Sequence, residues 1–131
     1  MYKGNNIGTI GENLTHQYLL KEGYRILTRN YRRQWGEIDI VAQTLDRTLV
    51  FVEVKTMKAS PSLKPEDNLT KAKLVKLRRT CQAFCGANPD LVDERKGWRI
   101  DLIAITLPAE HGNDDLTYLY KNCIIKQYEN I

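Results

Sequence analysis

From Gly36 to Thr56 the chain reads Gly-Glu-Ile-Asp-Ile-Val-Ala, a polar break, then Leu-Val-Phe-Val-Glu-Val-Lys-Thr. Both arms are rich in β-branched residues, and Leu45-Asp46-Arg47 between them supplies a turn, so the stretch predicts a β-hairpin. Few other features constrain the fold as tightly, because charges stand inside the apolar arms where core building alone would not put them. Glu53 and Lys55 are two residues apart, so their side chains leave the same sheet face, ~6.7 Å apart along the strand. Asp39 in the first arm shares that face if the hairpin register allows. Two carboxylates and an ammonium on a pleated surface form a ligand set for a hard divalent cation and an attacking water. The competing interpretation is a cross-strand ion pair on a half-solvated sheet.

The rest of the composition narrows the class. With 131 residues the chain is long enough for one domain, residues 1–131, and not for two. Hydrophobic residues are 42% and charged residues 27%, a globular balance that argues against disorder. The net charge of +4 and an isoelectric point near 9.0 favour a polyanionic partner only where the positive charges cluster. No apolar run approaches the ~18 residues of a membrane span. The first ten residues lack the apolar core of a signal peptide. The three cysteines, Cys81, Cys85 and Cys123, have no metal-type spacing and read as reduced thiols, so a cytoplasmic location is expected.

Ile7, Ile10, Leu14 and Tyr18 recur at helical spacing, and Gly23 ends that run. Thr9 is a candidate N-cap with Glu12 in the capping-box position three residues on. His16 reads as a surface or boundary residue. Tyr24 to Tyr31 reads as a strand, and Arg25, Arg29, Arg32 and Arg33 crowd it and the turn that follows. Their planar forks suit phosphate, although a charged edge strand would carry them too.

Gly8-x-x-Gly11-Glu12, Tyr18-Leu19, Gly23-Tyr24, Arg29-Asn30-Tyr31-Arg32, Gly36-Glu37-Ile38-Asp39 and Phe51-Val52-Glu53-Val54-Lys55-Thr56 follow in order at close spacing. In these motifs the chain resembles the YraN family of small bacterial proteins. That family in turn is similar to the restriction-endonuclease-like (PD-(D/E)XK) nuclease superfamily and to archaeal Holliday junction resolvases. The resemblance implies an α/β fold: a mixed β-sheet flanked by helices, in helix-strand-strand-strand-helix-strand order. It also implies a metal site in which Asp39 and Glu53 are ligands, Lys55 is the catalytic lysine and Glu12 completes the shell around Mg2+ or Mn2+. Glu37 belongs to the motif and ranks as support. Gly36 ahead of it allows a sharp turn or a close approach.

Beyond the central hairpin the pattern changes at Met57, and Ser60 to Asn68 reads as a polar, proline-containing loop. The family places a basic residue directly after Val-Lys-Thr and a glycine further on. Met57 and Leu63 stand there instead, with Lys58 next in line for the basic role, so the chain departs from the family in this loop. Lys71 to Cys85 predicts a second helix with an apolar stripe of Leu74, Leu77, Cys81 and Phe84. Lys71, Lys73, Lys76, Arg78 and Arg79 cover much of the remainder without an acidic residue among them, so intrahelical ion pairs do not explain them. Lys73 matches a family lysine, and Lys73 and Lys76 are the candidate phosphate contacts on this helix. Trp98 to Ile105 reads as a buried strand in which Asp101 pairs with Arg99 or another base. His111 sits in a turn-rich loop, and Leu116 to Tyr120 reads as an edge strand.

The function these features imply is a metal-dependent nuclease hydrolysing phosphodiester bonds in DNA, with branched or otherwise structured DNA among the substrates. Phosphate and shape rather than base sequence would be recognised, by Arg29, Arg32, Arg33, Lys73 and Lys76. The alternatives are a nucleic-acid-binding module that keeps the fold but cleaves poorly or needs a partner, and an adaptor whose acidic pair binds no metal. The expected partner is nucleic acid, with no membrane association and a homodimer left open.

Overall fold

A computed structural model describes residues 6–59, 69–109 and 115–131. Helix α1 (Asn6–Lys21) leads into β1 (Arg25–Arg33), β2 (Gly36–Gln43) and β3 (Leu49–Lys58). Helix α2 (Lys71–Ala87) and a 3-10 turn (Pro89–Leu91) precede β4 (Trp98–Leu107), and α3 (Leu116–Asn122) and β5 (Ile124–Tyr128) close the chain. The five strands form one sheet in the order β1-β2-β3-β4-β5. Pairing is antiparallel except between β3 and β4, which run parallel. A parallel pair cannot be joined by a tight turn, and α2 lies in the connection from β3 to β4. The mixed sheet and the element order through β4 match the expected fold.

Strand alternation divides the core in two. Val50 and Val52 of β3 pack with Ile10, Leu14 and Leu19 of α1, Ile103 and Ile105 of β4, and Leu119 of α3. Leu49 and Phe51 pack on the opposite face with Leu77, Cys81 and Phe84 of α2. Tyr31, Phe84, Phe51 and Trp98 form a chain of edge-on rings with centroids 5.0–5.5 Å apart. Both faces of β3 are thus sealed at its start, and the apolar cover on the α2 face gives out at Glu53. The hairpin turn between β2 and β3 is where the sequence places it, with the Asp46 carboxylate accepting from Thr44 and Thr48.

Two local expectations differ from the structure. Thr9 is not an N-cap: α1 already begins at Asn6, so Glu12 lies in the second turn and has no capping role. Leu116 to Tyr120 is helical, capped by Asp115, whose carboxylate accepts from the Thr117 amide at 3.1 Å. Leu119 is buried there against the α1-side core, and the edge strand is formed by Ile124–Tyr128. The polar loop, Ser60 to Asn68, and His111 lie outside the described residues. No helix among the described residues is long and apolar enough to cross a membrane.

Candidate active site

The site begins with a fault in strand β2. Ile40 and Ala42 enter the α1-side core and Val41 the α2-side core, as alternation requires. Ile38, two residues before Ile40, nevertheless enters the α2-side core. The alternation therefore breaks at Asp39. In β1, whose register pairs Arg29 with Ile40 and Tyr31 with Ile38, Asn30 takes a φ of 55°. Asparagine is among the few side chains that tolerate this left-handed conformation. The β2–β3 ladder stops at the Ile40–Val52 pair. Beyond it the Val54 amide donates 2.8 Å to the Asp39 carboxylate, so a side chain takes the place of a ladder bond.

Turned toward β3 in this way, the Asp39 carboxyl comes close enough to Glu53 to feel its charge. Burial pushes the Asp39 carboxyl up to about 8; the Glu53 charge adds to this, the Val54 amide opposes it, and Glu12 contributes from further off. Buried like charges cannot all remain ionised unless something neutralises them. Lys55 supplies one positive charge, its Nζ 3.0 Å from Glu53 Oε2, with both side chains less than a quarter exposed. Asp39, Glu53 and Lys55 line one open cleft of about 460 Å³: the Glu-x-Lys spacing puts the last two on one face, and the break in β2 brings Asp39 to them.

Glu12 arrives from the other side of the sheet. Helix α1 lies so close to β3 that a Cβ on Gly11 would overlap Thr56 Oγ1. Only glycine permits that approach, and the next residue, Glu12, is half-buried and near enough for its charge to act on Asp39. The Glu12 carboxylate is 3.6 Å from the Arg29 guanidinium. Among the described residues, no three His, Cys, Asp or Glu side chains are already grouped as a metal shell. The chemistry of the pair still fits a cation. Two neighbouring carboxyls whose joint ionisation burial opposes offer hard oxygen donors to a cation that would relieve that cost, which suits magnesium.

The cleft walls come from distant segments. The tip of the β1–β2 hairpin contributes Arg33, Gln34, Gly36 and Glu37. Lys73, Lys76, Leu77 and Thr80 of α2 stand opposite, with Leu69 at the helix entry. Gly36 serves this closure: a Cβ there would overlap Thr80 Oγ1, so the hairpin packs directly on α2. Of the proposed phosphate contacts, Arg33, Lys73 and Lys76 line the cleft. Arg32 sits outside the lining, paired with Glu37 at 3.7 Å. Arg29 is spent on α1: it donates 2.9 Å to Asn13 Oδ1, lies 3.5 Å from the His16 ring and pairs with Glu12. Burial and the Arg29 charge both lower the His16 pKa. Gln34 and Thr80 escaped the sequence reading; Thr80 lies one turn after Leu77 on the helix stripe, a spacing that could have pointed to it.

Asp101 has the structural role its neighbours suggested. It is fully buried and accepts from Arg99 at 2.9 and 3.2 Å, from Gln127 at 2.9 Å and from the Asn130 amide at 3.0 Å. Four donors leave no capacity for a metal.

Residues 11–105 match the family model described as Uncharacterised protein family UPF0102. A UPF0102 protein of Alkaliphilus oremlandii (strain OhILAs) is 41% identical over 101 residues, 77% of this chain and 85% of that protein. One from Caldicellulosiruptor bescii is 34% identical over 106 residues, 81% of this chain and 87% of that protein. One from Syntrophomonas wolfei subsp. wolfei is 32% identical over 113 residues, 86% of this chain and 93% of that protein. The matched span takes in Glu12, Asp39, Glu53, Lys55, Lys73 and Lys76.

Proposed function

The chain belongs to the uncharacterised protein family UPF0102, the YraN family its motifs resemble, and from that premise we propose that it is a metal-dependent nuclease hydrolysing phosphodiester bonds in DNA. The observation that supports this most directly is the convergence of Asp39, Glu53 and Lys55 on one cleft walled by cations, with Lys55 3.0 Å from Glu53. In a purely structural ion pair the charges would balance. Here one acid, buried beside the charge of the other, keeps its proton near neutrality.

Asp39 and Glu53, with Glu12 behind them, would hold Mg2+ or Mn2+, which when bound supplies positive charge for the phosphate and acidifies a water. Arg33, Lys73 and Lys76 hold the DNA backbone against the cleft wall. Lys55 stands where hydrolysis places new negative charge: a water oxygen bonds to phosphorus, the P–O bond to the leaving sugar oxygen breaks, and that oxygen takes a proton. An ammonium at that point stabilises the transition state more than the bound substrate, which is the condition for raising a rate.

A second reading, a binding module that cleaves only with a partner, has its own support. Lys55 is engaged by Glu53 and Glu12 by Arg29, so both would have to change partners before acting. The test is incubation of the purified chain with linear, flapped and four-way DNA, with magnesium or manganese, beside the Glu53→Gln variant. Metal-dependent nicking by wild type alone is the expected result. Tight binding of these DNAs without cleavage of any would replace the nuclease by the binding module.

A further inference from the structure

The hairpin joining β1 and β2 ends in Gln34 and Trp35, and Trp35 is 52% exposed. Two-residue hairpin turns favour glycine, asparagine and aspartate, and an exposed indole adds little burial there. The other tryptophan, Trp98, is seated edge-on against Phe51 with ring centroids 5.5 Å apart. An isolated exposed apolar residue needs no explanation. The setting of Trp35 makes it more than that. Arg33, Gln34 and Gly36 beside it all line the cleft that contains Asp39 and Glu53.

The tip is also anchored on both sides of the indole. Gly36 packs against Thr80 so closely that no Cβ fits. The Arg33 guanidinium lies 4.1 Å from the centroid of the Tyr31 ring, which itself abuts Phe84. Trp35 is therefore carried, exposed, on a held arm whose neighbouring residues line a cation-walled cleft, although Trp35 is not itself in the lining. A fixed aromatic face beside a phosphate track is how proteins take up unpaired bases, since every base has a face to stack. A base inside a continuous duplex has both faces covered by its neighbours.

We propose that Trp35 stacks on an unpaired base of the bound DNA, so that the cleft selects DNA with an unstacked base next to the held phosphate, as in a flap, gap or junction. This rests on the reading of the cleft as a nucleic-acid site. The hairpin tip supplies the shape preference, and the cations of the cleft supply affinity for any DNA.

The test uses the full chain in EDTA, so that nothing is cleaved, and three labelled DNAs of one sequence: a continuous duplex, a duplex with a short single-stranded flap, and the same flap made abasic. Wild type is expected to bind the flap about tenfold more tightly than the abasic flap, as one base–aromatic stack allows, with quenching of tryptophan emission. Trp35→Ala should lose that preference, keep wild-type affinity for the abasic flap, and show only unquenched Trp98 emission. Trp35→Phe should retain most of the preference. Equal binding of flap and abasic flap by wild type would overturn the stacking role and leave the phosphate-binding cleft standing. Weaker binding of the abasic flap by Trp35→Ala would make Trp35 a structural residue and also overturn it. Failure to bind any of the three DNAs would remove the nucleic-acid site together with this inference.

Discussion

The Val54 amide donates 2.8 Å to the Asp39 carboxylate, across the point where the β2–β3 ladder has ended. This one bond holds an acid side chain between two strands and against Glu53, where burial raises its pKa from 3.8 to about 8. A pH dependence of stability follows. Below about pH 4 the carboxyl is protonated whether the chain is folded or not. As pH rises toward 8 the unfolded chain releases a proton that the folded chain keeps, so stability falls across that window. An asparagine amide in place of this carboxyl would still accept from Val54 and carries no charge. Asp39→Asn should therefore flatten the slope and exceed wild type at pH 8 in EDTA by several kcal/mol, with about four pKa units at ~1.4 kcal/mol each as the upper bound. Magnesium should stabilise wild type and not the variant. Urea melts from pH 5 to 8.5 measure both effects; a variant no more stable than wild type at pH 8 would mean that Asp39 carries no buried-charge penalty.

Lys55 separates catalysis from binding. Lys55→Met keeps most of the apolar stem and deletes the ammonium. Cleavage of flapped or four-way DNA is expected to fall by a factor of hundreds or more, roughly the effect of a missing acid-base or electrostatic group. Affinity for the same DNA should change by less than ~1 kcal/mol, as for one exposed phosphate contact. Parallel single-turnover and binding assays make the comparison, and equal losses in rate and affinity would reduce Lys55 to a phosphate contact.

The contact of Gly11 with Thr56 is steric and can be tested without any assay of activity. A methyl group at position 11 must displace α1 or rotate Thr56, because its Cβ would overlap Thr56 Oγ1. Overpacking of this kind costs ~1–3 kcal/mol. Thr56 Oγ1 is buried and has no hydrogen-bond partner among the described residues, so deleting it forfeits little. Gly11→Ala should thus destabilise the chain in thermal melts, and Thr56→Ala should recover part of the loss in the double variant. Strict additivity of the two changes would show that the residues do not press on one another.

The cations divide by location. Lys73 and Lys76 line the cleft, whereas Arg29 is bonded to α1. Replacing both lysines by alanine should lower the slope of log affinity against log salt by roughly 1–2, as each neutralised phosphate contributes about 0.9. Arg29→Ala should leave the slope unchanged and lower the melting temperature instead. A salt slope that falls with Arg29 and not with the lysines would move the DNA path to the α1 side of the sheet.

Much of this architecture is legible in the sequence because it is local. The β-branched arms around Leu45-Asp46-Arg47 specify the hairpin, and a period of two puts Glu53 and Lys55 on one face in any strand. The Leu74–Phe84 stripe specifies α2, and Arg99 two residues before Asp101 already offers it a partner. Where a segment is short, the sequence leaves its type open. Leu116 to Tyr120 suits a strand or a helix, and the burial of Leu119 against α1 and the Asp115 cap select the helix. The face on which Asp39 emerges was decided only by tertiary structure. Regular alternation would send Ile38 and Ile40 the same way, but the two cores on either side of the sheet claim one each. The strand has to twist at Asp39 to satisfy both. Arg29 follows the same logic: its composition suits phosphate, yet Glu12, Asn13 and His16 on a helix that precedes it bind it first. Period and propensity act between neighbours in the chain, whereas the choice of face at a break and the partner of a long cation depend on contacts that exist only once the sheet is covered.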